Sequence, residues 1–396
     1  MILAPFLLAA AALVMFYILI GYPLLLVLCV RRSAPPVRKD PGFRTTVSLI
    51  LAVRNGEEFI RSKLESIAAL KYPRDLLEIL IVSDGSTDAT EQIVESFAYP
   101  RVRLLRTAHS GKPAALNLAL RHASGEILFF TDVRQTLDSD ALSHLVSNFA
   151  DPSIGAATGE LHYLDVASAG EEADIEMYWR YELWARRRHS QIDSTFTPTG
   201  CLYALRRSLA DFLPPDALAD DAVMAFRAFL RGYRVVVDPE AIVFDYAGVK
   251  GGEFRRKLRT LGGLLQVHVR MPAYFSCANR MRFHFFSHKS ARLVLPWAIL
   301  LAWVATLALP PSPFRSFLLV DEILFVVVAV LDTFIPKTLF LKRLSSPARS
   351  FLAMNAAALL SPVVFLVPRR VLWRPTQVKT KHPDGRAVED STRQSL

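Results

Sequence analysis

Apolar positions along the chain fall into three regimes. Residues 1–30 carry no charged side chain, a longer run than the roughly 20 apolar residues that cross a bilayer as a helix. Between 45 and 250, apolar runs of strand length recur at 47–53, 77–82, 102–105, 126–130 and 156–161. Each of the first four is followed by a stretch of helical character, at 57–70, 88–97, 112–122 and 139–149. Strands alternating with helices of that length predict βαβ units, hence an α/β domain with a mostly parallel sheet. Long apolar blocks return late: 293–314 is uncharged, 317–335 is interrupted by Asp321, Glu322 and Asp332, and 350–368 is weakened by Asn355, Ser361 and Pro362.

The charges beside these blocks set an orientation. Arg31, Arg32, Arg38 and Lys39 follow the first apolar run rather than precede it, the reverse of a signal peptide, so 1–30 is expected to be an uncleaved anchor with the following chain in the cytoplasm. The acids of the second late block are expected near helix ends, at headgroup depth. The loop 337–349 holds four basic residues and no acid, which fits the cytoplasm after two crossings, yet the tail 369–396 carries seven basic residues against three acids. A third crossing would put that tail outside, so two to three C-terminal membrane segments within 293–368 remain open. Before them, Phe254, Leu258, Leu261 and Leu265 recur at helical spacing among basic residues, which predicts over 251–292 a basic amphipathic segment lying on the membrane.

Composition agrees with this mixed plan. Of 396 residues, 52% are hydrophobic and 21% charged, with mean hydropathy +0.27, too apolar for a wholly soluble enzyme and too charged for a membrane bundle alone. The net charge of +10 sits beside apolar segments instead of in basic runs interleaved with aromatics, which excludes nucleic acid as the partner. Cys29, Cys201 and Cys277 are too far apart for metal or redox spacing, and the nine histidines form no ligand pattern.

Ligands of open α/β sheets bind beyond the carboxyl ends of the strands, and here those ends are acidic. They read Arg54-Asn55-Gly56-Glu57, Ser83-Asp84-Gly85-Ser86-Thr87-Asp88 and Thr131-Asp132-Val133-Arg134-Gln135. Singly, each is a common turn-and-cap pattern; three along one sheet edge point to a ligand. Gly111-Lys112 is not a P-loop, because Arg106 stands where the first glycine belongs, yet Lys112 at a helix start still brings charge toward a phosphate. The pair Asp220-Asp221 precedes the apolar stretch 222–230, with an ordinary alternative in which Asp220 caps that helix. The aromatic stretch with Tyr178, Trp179, Tyr181 and Trp184 is expected to pack a core, and Cys201 to pack beside Gly200.

The strings VSDGSTDAT, GKPAALN and ILFFTD, then an acid pair before GYRVV, in that order over roughly 45–265, resemble the family 2 glycosyltransferases. The N-terminal anchor and late apolar segments are similar to that family's membrane-bound bacterial branch, which builds surface polysaccharides and glycolipids. The resemblance implies a GT-A fold and an inverting enzyme of the cell's inner membrane, multi-pass with a cytoplasmic catalytic domain. Such an enzyme moves a sugar from a nucleotide-sugar donor, expected to be a UDP-sugar, to a lipid-linked or saccharide acceptor. By position it implies Asn55, Glu57 and Asp84 at the nucleotide, Lys112 near phosphate, Asp132 on a divalent cation (Mg or Mn), and Asp221 as base. Two departures stand out. Arg134 replaces the second acid of the family's Asp-x-Asp motif, which leaves the cation one carboxylate short. Where processive members carry Gln-x-x-Arg-Trp, this chain has Arg256, Arg259 and Thr260; Arg259 is still expected at the diphosphate. A processive synthase, or an inactive nucleotide-binding subunit of a membrane complex, are the alternatives these departures keep open.

Overall fold

The computed structural model describes residues 3–30, 34–164, 171–246, 253–336 and 339–367; the side chains of 171–178, 246 and 253 are not among those described. Arg31, Arg32, Lys337, the side chain of Tyr178 and the basic tail from Arg369 therefore lie outside the described residues.

The chain opens with α1 (Leu3–Phe16), which continues through a π-helical turn, Tyr17–Gly21, into α2 (Tyr22–Cys29). The α/β part then runs β1 (Val47–Val53), α3 (Glu57–Ala68), β2 (Leu77–Asp84), α4 (Thr90–Ser96), β3 (Val102–Thr107), α5 (Lys112–His122), β4 (Ile127–Thr131), a short β5 (Thr136–Leu137) and α6 (Ala141–Ser147). It closes with β6 (Ile154–Leu164), α7 (Glu171–Ile192), β7 (Leu202–Arg206), α8 (Asp220–Leu230) and β8 (Arg234–Tyr246). Helices complete the described chain: α9 (Glu253–Arg270), α10 (Arg282–Phe285), α11 (Ala291–Ala308), α12 (Pro313–Leu331) and α13 (Lys342–Leu359).

The eight strands form one sheet in the order β3-β2-β1-β4-β7-β6-β8-β5. β3, β2, β1 and β4 are mutually parallel, β7 is antiparallel to both β4 and β6, and β8 returns parallel to β6. The predicted α/β, GT-A-like, mostly parallel sheet is thus present, with an antiparallel strand at its middle. Both faces are covered. Leu49, Leu51 and Ile79 pack one core with α3 and α6, while Ile50, Leu80 and Val82 pack the other with α5 and α8, the two-sided burial that makes a parallel strand a continuous apolar run.

Leu3–Cys29 and Arg282–Ala308 are long and apolar enough to cross a membrane, judged by length and composition. They belong to one packed unit. α1 lies along α11, and α2 along α7, where the Tyr22 hydroxyl hydrogen-bonds His189 Nε2 at 2.7 Å and His284 Nδ1 at 3.1 Å. Two expectations need correction. Asp332 does follow the end of α12, where it is buried and paired with Lys342 and Ser345. Asp321 and Glu322, however, fall in the middle of α12, and Glu322 accepts a hydrogen bond from Thr306 of α11 at 3.0 Å: one polar group buys its partner on the neighbouring helix, so the acids need not reach a helix end. The block expected at 350–368 is instead a helix that begins at Lys342, inside the basic loop, and packs on α7, α9 and α11.

Candidate active site

The carboxyl ends of β1, β2 and β4 open onto a cavity of about 1140 Å³. At its β1–β2 end the loops clamp each other. The Thr87 amide donates to Asn55 Oδ1 (2.8 Å), the Ala89 amide to Glu57 Oε2 (2.9 Å), and the Glu57 amide back to Asp88 Oδ2 (3.0 Å). Asn55 takes a left-handed backbone (φ 48°) to do so, a conformation asparagine tolerates better than most residues. Asp84 ends β2 at only 5% exposure. Its carboxylate accepts from the amides of Ser110 (2.7 Å) and Gly111 (3.0 Å), with His109 Nδ1 at 3.2 Å. Asp84 thus fixes the loop that leads into α5. Gly85, at φ +64°, lets that loop approach, since a Cβ there would stand 2.8 Å from the His109 amide nitrogen.

At the centre of the cavity cations and carboxylates alternate. Lys112, the first residue of α5, places Nζ 3.0 Å from Asp132 Oδ1 and 3.3 Å from Asp220 Oδ2. Burial opposes its charge, but the Asp132 and Asp220 carboxylates outweigh it and raise the ammonium above the usual lysine range. Asp220 and Asp221 open α8, whose N-cap is Ala219 without a side-chain bond; Asp220 is therefore not the cap, and its carboxylate faces Lys112. Burial, then repulsion from Asp220, push the Asp221 carboxyl up to about 6, against the pull of Lys112. Gly200 lies directly beside it, where an added Cβ would come 3.2 Å from Asp221 Oδ2. Arg256 and Arg259 of α9 line the same cavity. Burial lowers the Arg259 guanidinium below its ordinary value, while Asp132, Asp220 and Asp221 counteract that. Gln266 fixes α9 to the acid pair's loop by accepting from the Leu218 amide (2.9 Å) and donating to the Asp216 carbonyl (2.9 Å). Asn117 of α5 is spent on the backbone of Leu213 (2.7 and 2.9 Å).

The strand-end segment after β4 is held from below. Lys63 of α3 is wholly buried; its ammonium donates to Thr131 Oγ1 (2.6 Å) and the Gln135 carbonyl (2.7 Å). Burial brings it down to about 7, partly resisted by Cys201 and Asp132. Arg134 pairs with the buried Asp245 of β8, which also accepts from Gln135 Nε2 at 2.9 Å. Neither Lys63 nor Asp245 carried a readable sequence signal: a single lysine in an amphipathic helix looks solvated, and an aspartate near a strand end looks like a turn. Cys201 is packed, as expected, with burial raising its thiol to about 12.

Beyond the β1 and β2 loops, the cavity reaches α7, α9, α11 and α13. Trp179 donates to the Leu161 carbonyl at 2.8 Å and stacks under Arg186. Glu182 of α7 meets Arg186 (3.0 Å) and Lys289 (2.7 Å), and also pairs with Arg292. Burial would raise this carboxyl, but Arg292 and Lys289 hold it well below the carboxylate range. Sequence reading passed over Glu182 because two of its partners, Lys289 and Arg292, lie more than a hundred residues away.

A divalent cation would find one protein ligand here. Among the described residues no group of three or more His, Cys, Asp or Glu is placed to hold a metal. Asp132 faces the cavity with a carboxylate 40% exposed, and magnesium-type sites on nucleotides use one or two carboxylates plus phosphate oxygens and water. The residues fit a cation that arrives with a diphosphate.

Comparison with known proteins places this arrangement. The pattern of Glycosyl transferase family 2 matches residues 48–213, and that of Glycosyl transferase family group 2 matches 132–336. The chain is 28% identical over 225 residues to the probable glycosyltransferase YdaM of Bacillus subtilis, covering 54% of each. It is 26% identical over 246 residues to a poly-beta-1,6-N-acetyl-D-glucosamine synthase of Staphylococcus aureus, 60% of this chain and 58% of the other. The chain thus spans just over half the length of these curated relatives. Among solved structures, the mannosyltransferase PcManGT from Pyrobaculum calidifontis, in complex with GDP-Man and Mn2+, superposes with TM-score 0.73 at 27% identity, over 91% of this chain and 99% of that one. Pattern, fold and cavity agree: the chain belongs to the family 2 glycosyltransferases and is a glycosyltransferase enzyme.

Proposed function

We propose that this enzyme transfers a sugar, with inversion, from a nucleotide diphosphate donor to a membrane-associated acceptor in surface polysaccharide or glycolipid synthesis. The observation that carries the reading is the convergence of Lys112, Asp132, Asp220 and Asp221 on one cavity. Asn55, Glu57 and Asp84 frame the nucleotide end. Lys112, Arg256 and Arg259 offset the charge of the departing diphosphate, and Asp132 would hold a divalent cation, which would supply further neutralisation of the same charge. Asp221, buried and with its carboxyl near 6, takes the proton of the attacking hydroxyl as the new glycosidic bond forms and the anomeric carbon–phosphate oxygen bond breaks.

The two apolar helices anchor the enzyme in the inner membrane, with 45–250 as the cytoplasmic catalytic domain, 251–292 at the interface and two to three segments within 293–368 in the bilayer. A UDP-sugar is the expected donor. GDP-mannose is the second reading, favoured by the mannosyltransferase that matches 91% of this chain and was captured with GDP-Man. The test is to incubate membranes holding the full chain with radiolabelled UDP- and GDP-sugars and extract the lipid fraction. Label in lipid with one donor, lost in Asp221→Asn, is expected. Label that persists at wild-type level in Asp221→Asn removes the base from the scheme.

A further inference from the structure

Tyr22, the first residue of α2, is fully buried. Its ring packs in one cluster with Leu26, Ala185, Trp184 and Ile192, a volume that phenylalanine would fill as well. The hydroxyl is what phenylalanine lacks. It reaches His189 of α7 at 2.7 Å and His284 of α10 at 3.1 Å, so one side chain of the N-terminal helix ties two other elements together. Burial strips the hydroxyl of water, and only this arrangement of the three elements returns its hydrogen bonds. A buried polar network of that kind specifies one geometry where apolar packing tolerates several. Burial also holds the His189 imidazole well below its ordinary value, so the pair is neutral.

From His189 two chains of contact lead to the acid pair. Along α7, Arg186 lies one turn before His189 and donates to Thr199 Oγ1 at 3.0 Å. The Thr199 hydroxyl donates to the Gly159 carbonyl (2.9 Å) and its amide to Thr158 Oγ1 (2.8 Å), which fixes it on β6. The next residue is Gly200, which lies against Asp221, and Arg186 itself favours the charged form of Asp221. The second chain runs through rings. His189 meets Phe196 with centroids 5.1 Å apart, Phe196 meets Phe285 edge-on at 4.2 Å, and Phe285 meets Phe226 at 5.6 Å. Phe226 belongs to α8, the helix that Asp220 and Asp221 open. All three phenylalanines are buried, and a close-packed interior transmits a shift instead of absorbing it.

Resting on Asp221 as the base of the transfer above, we propose that Tyr22 is a positioning residue: from the N-terminal helix it sets α7 through His189, and thereby the placement of Asp221 against the attacking hydroxyl. No bond is made or broken at Tyr22. The N-terminal helix is then part of the catalytic unit and not an exchangeable anchor. A carboxylate that takes a proton across about 3 Å tolerates little displacement, since about 1 Å can cost a hundred-fold in rate.

Membranes holding equal amounts of folded full-length variants test this, assayed with the radiolabelled UDP- or GDP-sugar that labels their lipid fraction. Tyr22→Phe should lower kcat about ten-fold, the scale of one lost hydrogen bond, and leave the donor KM unchanged. Its acid limb should move to higher pH, because Arg186 withdraws from Asp221 while Asp220 and Lys112 stay. A mere loss of folded protein lowers the rate without moving that limb. His189→Leu should reproduce both effects, the double variant should be no worse than either single one, and His189→Gln, which still offers the hydroxyl a partner, should recover rate. Tyr17→Phe removes another hydroxyl of the same N-terminal segment, 2.6 Å from Ser287 Oγ and outside both chains of contact. It should change neither kcat nor the limb. Hydrogen exchange in phosphatidylcholine nanodiscs needs no substrate: Tyr22→Phe should speed exchange over 193–201 and 217–222 and leave 47–53 unchanged. An unaltered kcat and limb in Tyr22→Phe overturn the proposal, as does an equal effect in Tyr17→Phe or unaltered exchange over those two segments. Asp221→Asn separates the two readings. If it retains transfer, the base assignment falls and the proposal with it; if it is inactive while Tyr22→Phe matches wild type, only the positioning role falls.

Discussion

The Lys112 ammonium stands 3.0 Å from the Asp132 carboxylate, so the start of α5 and the end of β4 share a charge pair in the open cavity. On the proposed reading a donor diphosphate with its cation would divide that pair: the phosphates would take the ammonium and the carboxylate would hold the cation. Lys112→Gln is therefore expected to lower kcat/KM by about a hundred-fold, the scale of one removed electrostatic donor. It should also lower the manganese concentration for half-maximal rate, because Asp132 loses its resident counter-charge. A metal titration of both enzymes checks this, and an unchanged half-maximal concentration would separate Lys112 from the cation site.

Arg134, the residue that the resemblance sets at the position of a second acid, commits its guanidinium to the buried Asp245. Arg134→Asp alone would set two carboxylates against each other, Gln135 still donating to Asp245, so loss of activity in that variant reports repulsion rather than metal chemistry. The informative variant is Arg134→Asp with Asp245→Asn. It should bind manganese more tightly than wild type, because a second carboxylate joins Asp132 without a buried clash. If the double variant and wild type share one manganese dependence, Asp132 is not the metal ligand.

Much of this site was legible in the sequence for a physical reason. β1, β2 and β4 are buried on both faces, so each reads as an unbroken apolar run, and the polar residue that ends the run is conspicuous. Asn55, Glu57, Asp84 and Asp132 were singled out that way, and all but Glu57 line the cavity. In the antiparallel half only β6 was, as the run 156–161. β7 has only five residues, and β8 contains Asp238-Pro239-Glu240 near a register shift against β6, where proline argues against a central strand. Arg134–Asp245, the Lys63 staple and the Glu182 cluster are long-range pairings, which no local pattern encodes. Asp321 and Glu322 were misplaced for the same reason, since Thr306 belongs to a different helix.

Acid pH should stop the enzyme through Asp221. Its carboxyl, raised to about 6 by burial and by Asp220, is protonated below that value and cannot accept a proton. The acid limb of kcat/KM is thus expected near pH 6, as a property of the coupled pair. Asp220→Asn removes the repulsion that favours the protonated form, so its limb should move to lower pH even if the maximum rate falls through the lost contact with Lys112. A limb that moves upward, or stays in place, would assign the profile to another group.

Lys63 links alkaline pH to stability. In the fold its ammonium is wholly buried and titrates near 7, whereas in the unfolded chain a lysine titrates near 10.4. Between those values the unfolded chain binds more protons, so stability must rise with pH across the window, by about 1.4 kcal/mol per pH unit at most. Below about 7 the penalty for burying the charge is present in full; above about 10.4 it has gone. Lys63→Met deletes this dependence together with the hydrogen bonds to Thr131 and Gln135. Thermal unfolding at pH 7.5 and 9.5 should show wild type gaining on the variant as pH rises. The variant should also lose kcat more than donor affinity, because the segment carrying Asp132 is no longer stapled at both ends. Parallel melting curves at the two pH values would mean that Lys63 is charged throughout and that the buried ammonium is fully compensated by its partners.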